Sequence, residues 1–412
     1  MTRPSTHRFD AAVTGLGIVS PAGVGVPGSW ERVCSGTPTA TTDPALAGVP
    51  VDFSCRVPDF DADALIGRRK AWRLDRFVQL AMVAAKEALE DAGLDPATWD
   101  GTRVGVVLGS AVGGTATWEQ QHRTLLDKGA EQVSGMLIPM LITNMVAGQL
   151  AIEHRALGPN LVVSTACAAS ATAIGTAREL LRSGTCDVVI TGGTEACLTP
   201  SIISGFARMG ALSRRTEDPA SASRPFDVER DGFVAAEGAG ILVLETPEHA
   251  AARGARVRAR ISGYGATADG HHPTAPDPSG QGVERALRAA LADAHLAPED
   301  IDHVNAHGTS TPLNDAAEAK VLRRLFGDRP AVTSTKGVTG HALGAAGALE
   351  AVFTVLAVEQ QLVPPTANMV KQDPEVELDV VTEAPRAVPV RAAVSNSFGF
   401  GGQNAVLVVT RA

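Results

Sequence analysis

The chain alternates short apolar runs with helical segments, and this alternation restarts near its middle. In the first half, strands are predicted over residues 11–14, 104–108, 161–164 and 187–191, and helices over 76–92 and 168–182. In the second half, strands are predicted over 256–262 and 301–305, and helices over 281–294 and 315–326. Alternating strands and helices favour an α/β sheet with parallel strands. The restart indicates a duplication, with one half at residues 1–250 and the other at 251–412.

Charge and cysteine usage exclude several classes of protein. The net charge is −9, which argues against a nucleic-acid partner because such proteins need a basic face. No run approaches the ~18–20 uninterrupted apolar residues of a membrane helix. The first apolar run follows Asp10 and is broken by Gly15, Gly17 and Pro21, so we expect no cleaved leader. Five cysteines without a CxxC pair indicate a reduced, cytoplasmic protein.

Cys167 is the first candidate for chemistry, because a buried strand meets a helix at this residue. The helix dipole and the free N–H groups of the first turn favour a thiolate, so we predict a lowered pKa for this thiol. A nucleophile on such a turn also has its own N–H available to an oxyanion. The alternative is that Cys167 is a small buried hydrophobic residue.

A histidine and three hydroxyls form the second cluster. His307 ends an apolar strand and is followed by Gly308 and then by hydroxyl residues at 309–311, at a place where α/β sheets carry ligand groups. A capped helix start is the alternative for these hydroxyls. Asp315 and Glu318 follow on the next predicted helix and share one face of it.

Two further glycine-rich segments carry functional side chains. Lys336 and His341 are brought together by a turn, but the GxxxxGK[ST] order of a nucleotide-binding loop is absent. Phe398 and Phe400 are both flanked by glycine, which is typical of a tightly turning loop whose rings open or close a cavity. The alternative for this loop is a plain connection between strands.

In this order, the motifs resemble the elongating β-ketoacyl-acyl-carrier-protein synthases, a family that includes the bacterial type II synthases. The resemblance runs from residues 13–17 to the GFGG loop at 399–402, with further landmarks at 223–227 and 230–233. It implies a duplicated, thiolase-like α/β fold in five layers, αβαβα, and a dimer. The family's Cys-His-His set falls on Cys167, His307 and His341. Thiolases, with a second cysteine, and initiating synthases, with Asn for the second histidine, do not fit.

The resemblance also implies how these residues act. Cys167 accepts an acyl chain from a carrier protein, and a malonyl thioester then loses carbon dioxide and condenses with it. The backbone N–H groups of Cys167 and Phe400 form the oxyanion hole, and Phe398 belongs to the same gating loop. His307 and His341 each donate one N–H to the enolate. We expect no metal and no redox cofactor for these steps.

Other residues are expected to support this chemistry. Lys336 disfavours imidazolium by like-charge repulsion and so keeps both histidines neutral. Glu318, on the face shared with Asp315, is expected to fix Lys336. The hydroxyls of Thr309 and Thr311 are expected to bind phosphopantetheine, which the carrier protein brings as part of the substrate.

Carrier proteins are acidic, so we expect a basic docking surface on this otherwise acidic chain. The run of Arg68, Arg69, Lys70 and Arg73 is the main candidate, and Arg208 is another. The alternative is that the run is a solvated, charged start of a helix.

Two departures from the family leave the pathway open between fatty-acid and type II polyketide synthesis. Ser170 stands where the family usually has glycine, and Gln403 precedes Asn404 where fatty-acid enzymes more often have Thr or His. The chain is therefore expected to form a homodimer or the active half of a heterodimer with a chain-length factor. A non-catalytic chain-length factor typically has Gln in place of Cys167. A cysteine hydrolase, the other alternative, would use one histidine with a carboxylate or amide orienter.

Overall fold

Strands of two similar halves form one continuous sheet in the computed structural model, which describes residues 9–412. Within these residues the strands longer than two residues are β1 (Ala11–Ser20), β2 (Val104–Gly109), β3 (Asn160–Val163), β4 (Val188–Glu195), β5 (Gly238–Glu245), β6 (Ala259–Ala268), β7 (His303–Asn305), β8 (Ala331–Thr333), β9 (Ala392–Gly399) and β10 (Gln403–Arg411). Two-residue strands are Gly23–Val24, Thr41–Thr42, Phe53–Ser54, Leu362–Val363 and Arg386–Ala387.

The strand order repeats between the halves, as the sequence predicts. The first half runs β3-β2-β4-β5-β1 and the second half β8-β7-β9-β10-β6. In both halves the first three strands of this order pair parallel, whereas the last two strands are antiparallel to their neighbours. The halves join where β1 pairs antiparallel with β6 over three residues. Residue 250 lies inside a helix, Pro247–Ala252, and the division of the chain at this residue stays a prediction.

Helices fill the layers on either side of the strands. They are α1 (Val26–Ser35), α2 (Arg68–Ala71), α3 (Arg76–Ala92), α4 (Thr115–Lys128), α5 (Leu137–Leu141), α6 (Met145–His154), α7 (Ala169–Arg182), α8 (Pro200–Arg208), α9 (Pro247–Ala252), α10 (Gln281–Asp293), α11 (Pro312–Phe326), α12 (Lys336–Thr339) and α13 (Ala346–Gln360). α3 covers β1 and β5, and α10 covers β6 and β10. α7 and α13 lie between the halves and contact strands of both. This is the five-layered αβαβα arrangement, so the predicted fold class is confirmed.

Local sequence explains the outer helix α3. The Asp75 side chain accepts a hydrogen bond from the N–H of Phe77 and caps the start, and Gly93 ends the helix with φ 64°. Gly17 lets β1 approach this helix, since a Cβ there would lie 1.9 Å from the carbonyl oxygen of Ala84. The tight contact fixes the first half of the sheet against its outer layer.

The central helix α13 is buried on every face along residues 346–358 and is mostly apolar. Residues Leu343–Gln360 are long and apolar enough to cross a membrane, but 89% of this stretch is buried inside the protein. A helix that packs against strands on both sides needs apolar residues all round. The stretch is therefore the core helix between the two halves.

Candidate active site

Cys167 lies on a single 3-10 turn, Ala166–Ala168, between β3 and α7. Ala166 has φ 49°, an uncommon conformation for a residue with a side chain. The end of β9 lies directly against this turn, since a Cβ on Gly399 would be 2.7 Å from the carbonyl oxygen of Thr165. The backbone N–H groups of Phe400 and of Cys167 itself both act to lower the pKa of this thiol. The two groups predicted to form the oxyanion hole therefore lie near the nucleophile's sulfur.

The predicted lowering of the thiol pKa is wrong for the free protein. Burial raises the pKa of Cys167 to about 12, although the charge of Lys336 and the two N–H groups act in the opposite direction. The side chain is only 9% exposed, so the loss of hydration outweighs the helix terminus. The resting group is a thiol, and its proton must leave as the sulfur attacks.

The two histidines face each other in the same cavity. His307 follows β7, and His341 follows α12. Their ring centroids are 5.3 Å apart and their planes are nearly perpendicular, at 86°. The ring of Phe398 packs 5.5 Å from His307, and the ring of Phe233 packs 5.3 Å from His341. Aromatic edges thus hold both imidazoles in fixed orientations.

Both imidazoles are held neutral. Burial is the main cause that puts the pKa values of His307 and His341 well below the usual range, and the positive charge of Lys336 lowers both further. The charge of Lys336 acts on the rings in the predicted direction, and desolvation is the larger contribution. A neutral imidazole donates from one nitrogen and accepts at the other.

Lys336 is fixed by Glu350, so the prediction that Glu318 fixes it is wrong. Lys336 donates from Nζ to the carbonyl oxygen of His307 at 2.6 Å and to Oε1 of Glu350. Glu318 instead accepts from the backbone N–H groups of His307 and Gly308, both at 2.8 Å. Its helix, α11, directs this carboxylate at the backbone of the histidine loop. Glu318 therefore positions His307 without touching the lysine.

Glu350 is not among the residues predicted from the sequence, although the sequence contains a signal for it. It is the only Asp, Glu, Lys or Arg between Lys336 and Glu359, in a stretch of otherwise apolar and small residues. Burial raises the pKa of Glu350 to about 7, and the lysine opposes that rise. A lone charge inside a buried helix requires a partner, and a lysine on the same segment is the obvious one.

Asp315 lies in the protein interior, apart from Thr309 and Thr311 on the cavity wall. Asp315 is fully buried, accepts from the N–H of Phe226 at 3.0 Å and lies 3.7 Å from Nε of Arg230. It therefore ties the 223–227 and 230–233 landmarks to α11. Thr309 and Thr311 line the cavity, with their hydroxyl oxygens 2.9 Å apart.

The cavity that unites these groups has a volume of about 740 Å³. Cys167, His307 and His341 all lie on its wall, together with Phe398 and Phe400. The structure thus brings together the predicted nucleophile, both histidines, the gating loop and the hydroxyl pair. Lys336 acts on the rings from behind this wall, where it is 1% exposed.

The two departures from the family pattern also meet this region. Ser170 is fully buried and bonds through Oγ to the carbonyl oxygen of Gly344, which links α7 to the loop after His341. A Cβ on Gly193 would lie 2.1 Å from that Oγ, so a glycine is required opposite this serine. Gln403 lies on the cavity wall beside Asn404.

The predicted docking residues are divided between two places. Arg68 and Lys70 are on α2, where Lys70 pairs with Glu153 at 2.6 Å. Exposed side chains of this run also include Arg69 and Arg73. Arg208 lies at the end of α8, beside Met209, which lines the cavity. Arg208 is therefore the docking candidate adjacent to a residue of the cavity wall.

Comparisons with known proteins agree with this geometry. Residues 9–250 match the beta-ketoacyl synthase N-terminal domain, and residues 258–370 match its C-terminal domain. A 3-oxoacyl-[acyl-carrier-protein] synthase 2 from Synechocystis is 45% identical over 402 residues, 96% of either chain.

Two solved structures have a similar fold. A chain of the ishigamide ketosynthase/chain length factor is 34% identical with a TM-score of 0.92, over 98% of this chain and 100% of that one. A chain of a type II PKS acyl-carrier protein in complex with its ketosynthase is also 34% identical, with a TM-score of 0.90, over 98% and 99% of the two chains. The resemblance seen in the sequence motifs is confirmed, and the chain belongs to the β-ketoacyl synthase family.

Proposed function

We propose that this protein is a 3-oxoacyl-[acyl-carrier-protein] synthase, an acyltransferase of fatty-acid or type II polyketide synthesis. It condenses an acyl chain held on Cys167 with a malonyl group on a carrier protein. One observation carries the proposal: a thiol contacted by two backbone N–H groups shares a cavity with two neutral imidazoles. That combination serves both acyl transfer and enolate stabilisation.

In the first half-reaction, Sγ of Cys167 attacks the carbonyl carbon of the acyl thioester. The N–H groups of Cys167 and Phe400 stabilise the oxyanion. His307 and His341 are the neutral bases of the cavity, and one of them takes the thiol proton and returns it to the departing carrier thiol. The products are acyl-Cys167 and the free carrier thiol, so one thioester bond breaks as another forms.

In the second half-reaction, malonyl-carrier protein loses carbon dioxide and leaves an enolate. Its oxygen accepts one N–H from His307 and one from His341. The enolate carbon attacks the acyl-Cys167 carbonyl, the carbon–sulfur bond breaks, and the departing thiolate takes up one proton from solvent. The carrier then holds a 3-oxoacyl chain longer by two carbons. Lys336 and Glu350 keep a balanced charge pair behind the rings during these steps.

The substrates arrive on a phosphopantetheine arm, which belongs to the carrier protein. Thr309 and Thr311 present paired hydroxyls on the cavity wall, and these are suited to the amide groups of that arm. The two half-reactions involve no redox step and no resident cofactor. We place the enzyme in the cytoplasm, with its five cysteines as free thiols.

A homologous second chain is the proposed permanent partner, either an identical copy or a chain-length factor. The outer edge of β3 is one end of the sheet, and large apolar side chains on it and on the preceding segment are exposed. They include Ile152, Leu157 and Leu161, which are 73%, 70% and 44% exposed. Exposed apolar surface of this kind marks a protein–protein interface.

An acidic carrier protein is the proposed transient partner. A substitution at Arg69 tests whether the basic run at α2 is its docking surface. Arg69→Glu reverses one exposed charge of the α2 run, and we expect kcat/KM with acyl-carrier protein to fall roughly tenfold. Steady-state assays at low and high salt measure this. Lys86→Glu, on the exposed side of α3, is the matched control. If the two variants lower kcat/KM equally, the basic run at α2 is not the docking site.

The function itself is tested by intact-protein mass spectrometry. The enzyme is mixed with a panel of acyl-carrier proteins of increasing chain length, and malonyl-carrier protein is then added. We expect an acyl adduct on Cys167, followed by a 3-oxoacyl carrier longer by two carbons. The chain that reacts fastest assigns the pathway. Release of free acid without condensation would favour a hydrolase, and the absence of any adduct would contradict the proposal for the isolated chain.

A further inference from the structure

Glu195 is a buried carboxyl group that the proposed mechanism does not use. It ends β4, is fully buried, and forms no ion pair with a lysine or arginine within residues 9–412. Burial raises the pKa of Glu195 to about 7, against several hydrogen bonds that lower it. A buried carboxyl group without an ion-pair partner destabilises the folded protein unless hydrogen bonds compensate for its lost hydration.

The hydrogen bonds of Glu195 hold the segment that follows β2. Its Oε2 accepts from the N–H of Ala111 at 2.6 Å, and its Oε1 accepts from Val112 N–H at 3.4 Å and from Oγ of Ser110 at 3.3 Å. Ala111 and Val112 lie on the wall of the cavity. The carboxylate thus fixes part of the wall from behind.

This part of the wall lies beside the nucleophile. β2 pairs with β3, which leads into the Cys167 turn, and Oγ of Ser164 donates to the carbonyl oxygen of Ala111 at 3.2 Å. On its other side Glu195 touches the loop after His341, since a Cβ on Gly344 would lie 2.5 Å from Oε2. An acyl chain on Cys167 therefore has the Ala111–Val112 surface as a neighbour.

We propose that Glu195 is a positioning residue that holds residues 110–113 as a rigid wall for the acyl chain, and that it thereby sets chain-length selectivity. This inference rests on the proposed function, because it concerns the acyl chain carried by Cys167. A carboxylate is suited to the task because both oxygens accept hydrogen bonds. A glutamine amide would place its NH2 group, which is a donor, against the same backbone N–H donors. Some of these hydrogen bonds would therefore be lost.

Glu195→Gln tests the proposal through the relative rates of different acyl chains. We expect the ratio of Cys167 acylation rates, between the preferred chain and one two carbons longer, to move at least threefold toward one. A loosened wall discriminates less between chains. A purely structural defect would lower both rates together and leave the ratio unchanged. Rates are measured by intact mass in single-turnover reactions with acyl-carrier proteins.

Glu87→Gln is the matched control. Glu87 also accepts two backbone N–H groups, from Ile18 at 2.9 Å and Val26 at 2.7 Å, but it lies on α3 in the outer layer. We expect the ratio of acylation rates in Glu87→Gln to equal that in the unmodified enzyme. If Glu195→Gln does not fold, Ser164→Ala loosens the same wall from the other side and is expected to shift the ratio in the same direction.

The experiment distinguishes failure of the proposed function from failure of the proposed role of Glu195. An unmodified enzyme that forms no acyl-Cys167 contradicts the proposed function. An unmodified enzyme that acylates, with ratios unchanged in both wall variants or in the folded one of the two, overturns the role of Glu195 alone.

Discussion

Cys167→Ala will abolish acyl-enzyme formation and lower condensation by about 10³-fold or more, because no other atom on the cavity wall can form the thioester. Cys167 is the only thiol lining the cavity within residues 9–412. Cys55, Cys186 and Cys197 are each at most 1% exposed and lie outside it. The measurement is intact mass after incubation with acyl-carrier protein, followed by peptide mapping of any adduct.

Cys167→Gln separates the two half-reactions in the same experiment. Decarboxylation of malonyl-carrier protein needs the histidine pair and not the thiol, so we expect this variant to retain or raise carbon dioxide release. The contacts of His307 with Phe398 and of His341 with Phe233 do not involve residue 167. Equal acylation of the alanine variant would remove Cys167 as the nucleophile, and loss of decarboxylation in the glutamine variant would tie the thiol to both steps.

Local signals in the sequence predicted some elements closely and left others out. The bounds of α3 follow from Asp75 and Gly93, a cap and a stop that act within one turn of the chain. A helix of small residues is predicted after His341, but no cap or apolar stripe predicts the bounds of α13, because this helix is buried all round. Only its position between the strands of the two halves explains its composition.

The site shows the same division between local and long-range information. The family resemblance implied that Cys167, His307 and His341 act together, and all three line one cavity. The partner of Lys336 was mistaken because helical spacing favoured Glu318, while the pairing with Glu350 depends on how α13 packs under the lysine. The thiol pKa depended on burial, which the dipole argument left out.

His341→Ala will lower malonyl decarboxylation about 10²–10³-fold, the usual cost of removing one donor from an oxyanion site. The ring lies opposite His307 at 5.3 Å, so alanine leaves a single N–H for the enolate. His341→Asn, which restores a donor amide, is expected to recover part of the rate. His303→Asn is the control, because this histidine is buried against the carbonyl oxygen of Ala331 and lies outside the cavity. The assay is carbon dioxide release from malonyl-carrier protein.

The pH dependence of the same reaction tests why the rings are neutral. Burial and Lys336 hold the pKa values of His307 and His341 well below 6.5, so both rings stay neutral as pH falls through that value. The rate is lost only when pH reaches the lowered pKa values. We therefore expect decarboxylation at pH 6 to stay within about twofold of that at pH 7.5, whereas an ordinary histidine would be mostly protonated at pH 6. A decline centred near pH 6.5 would show that neither burial nor the lysine charge controls the pair.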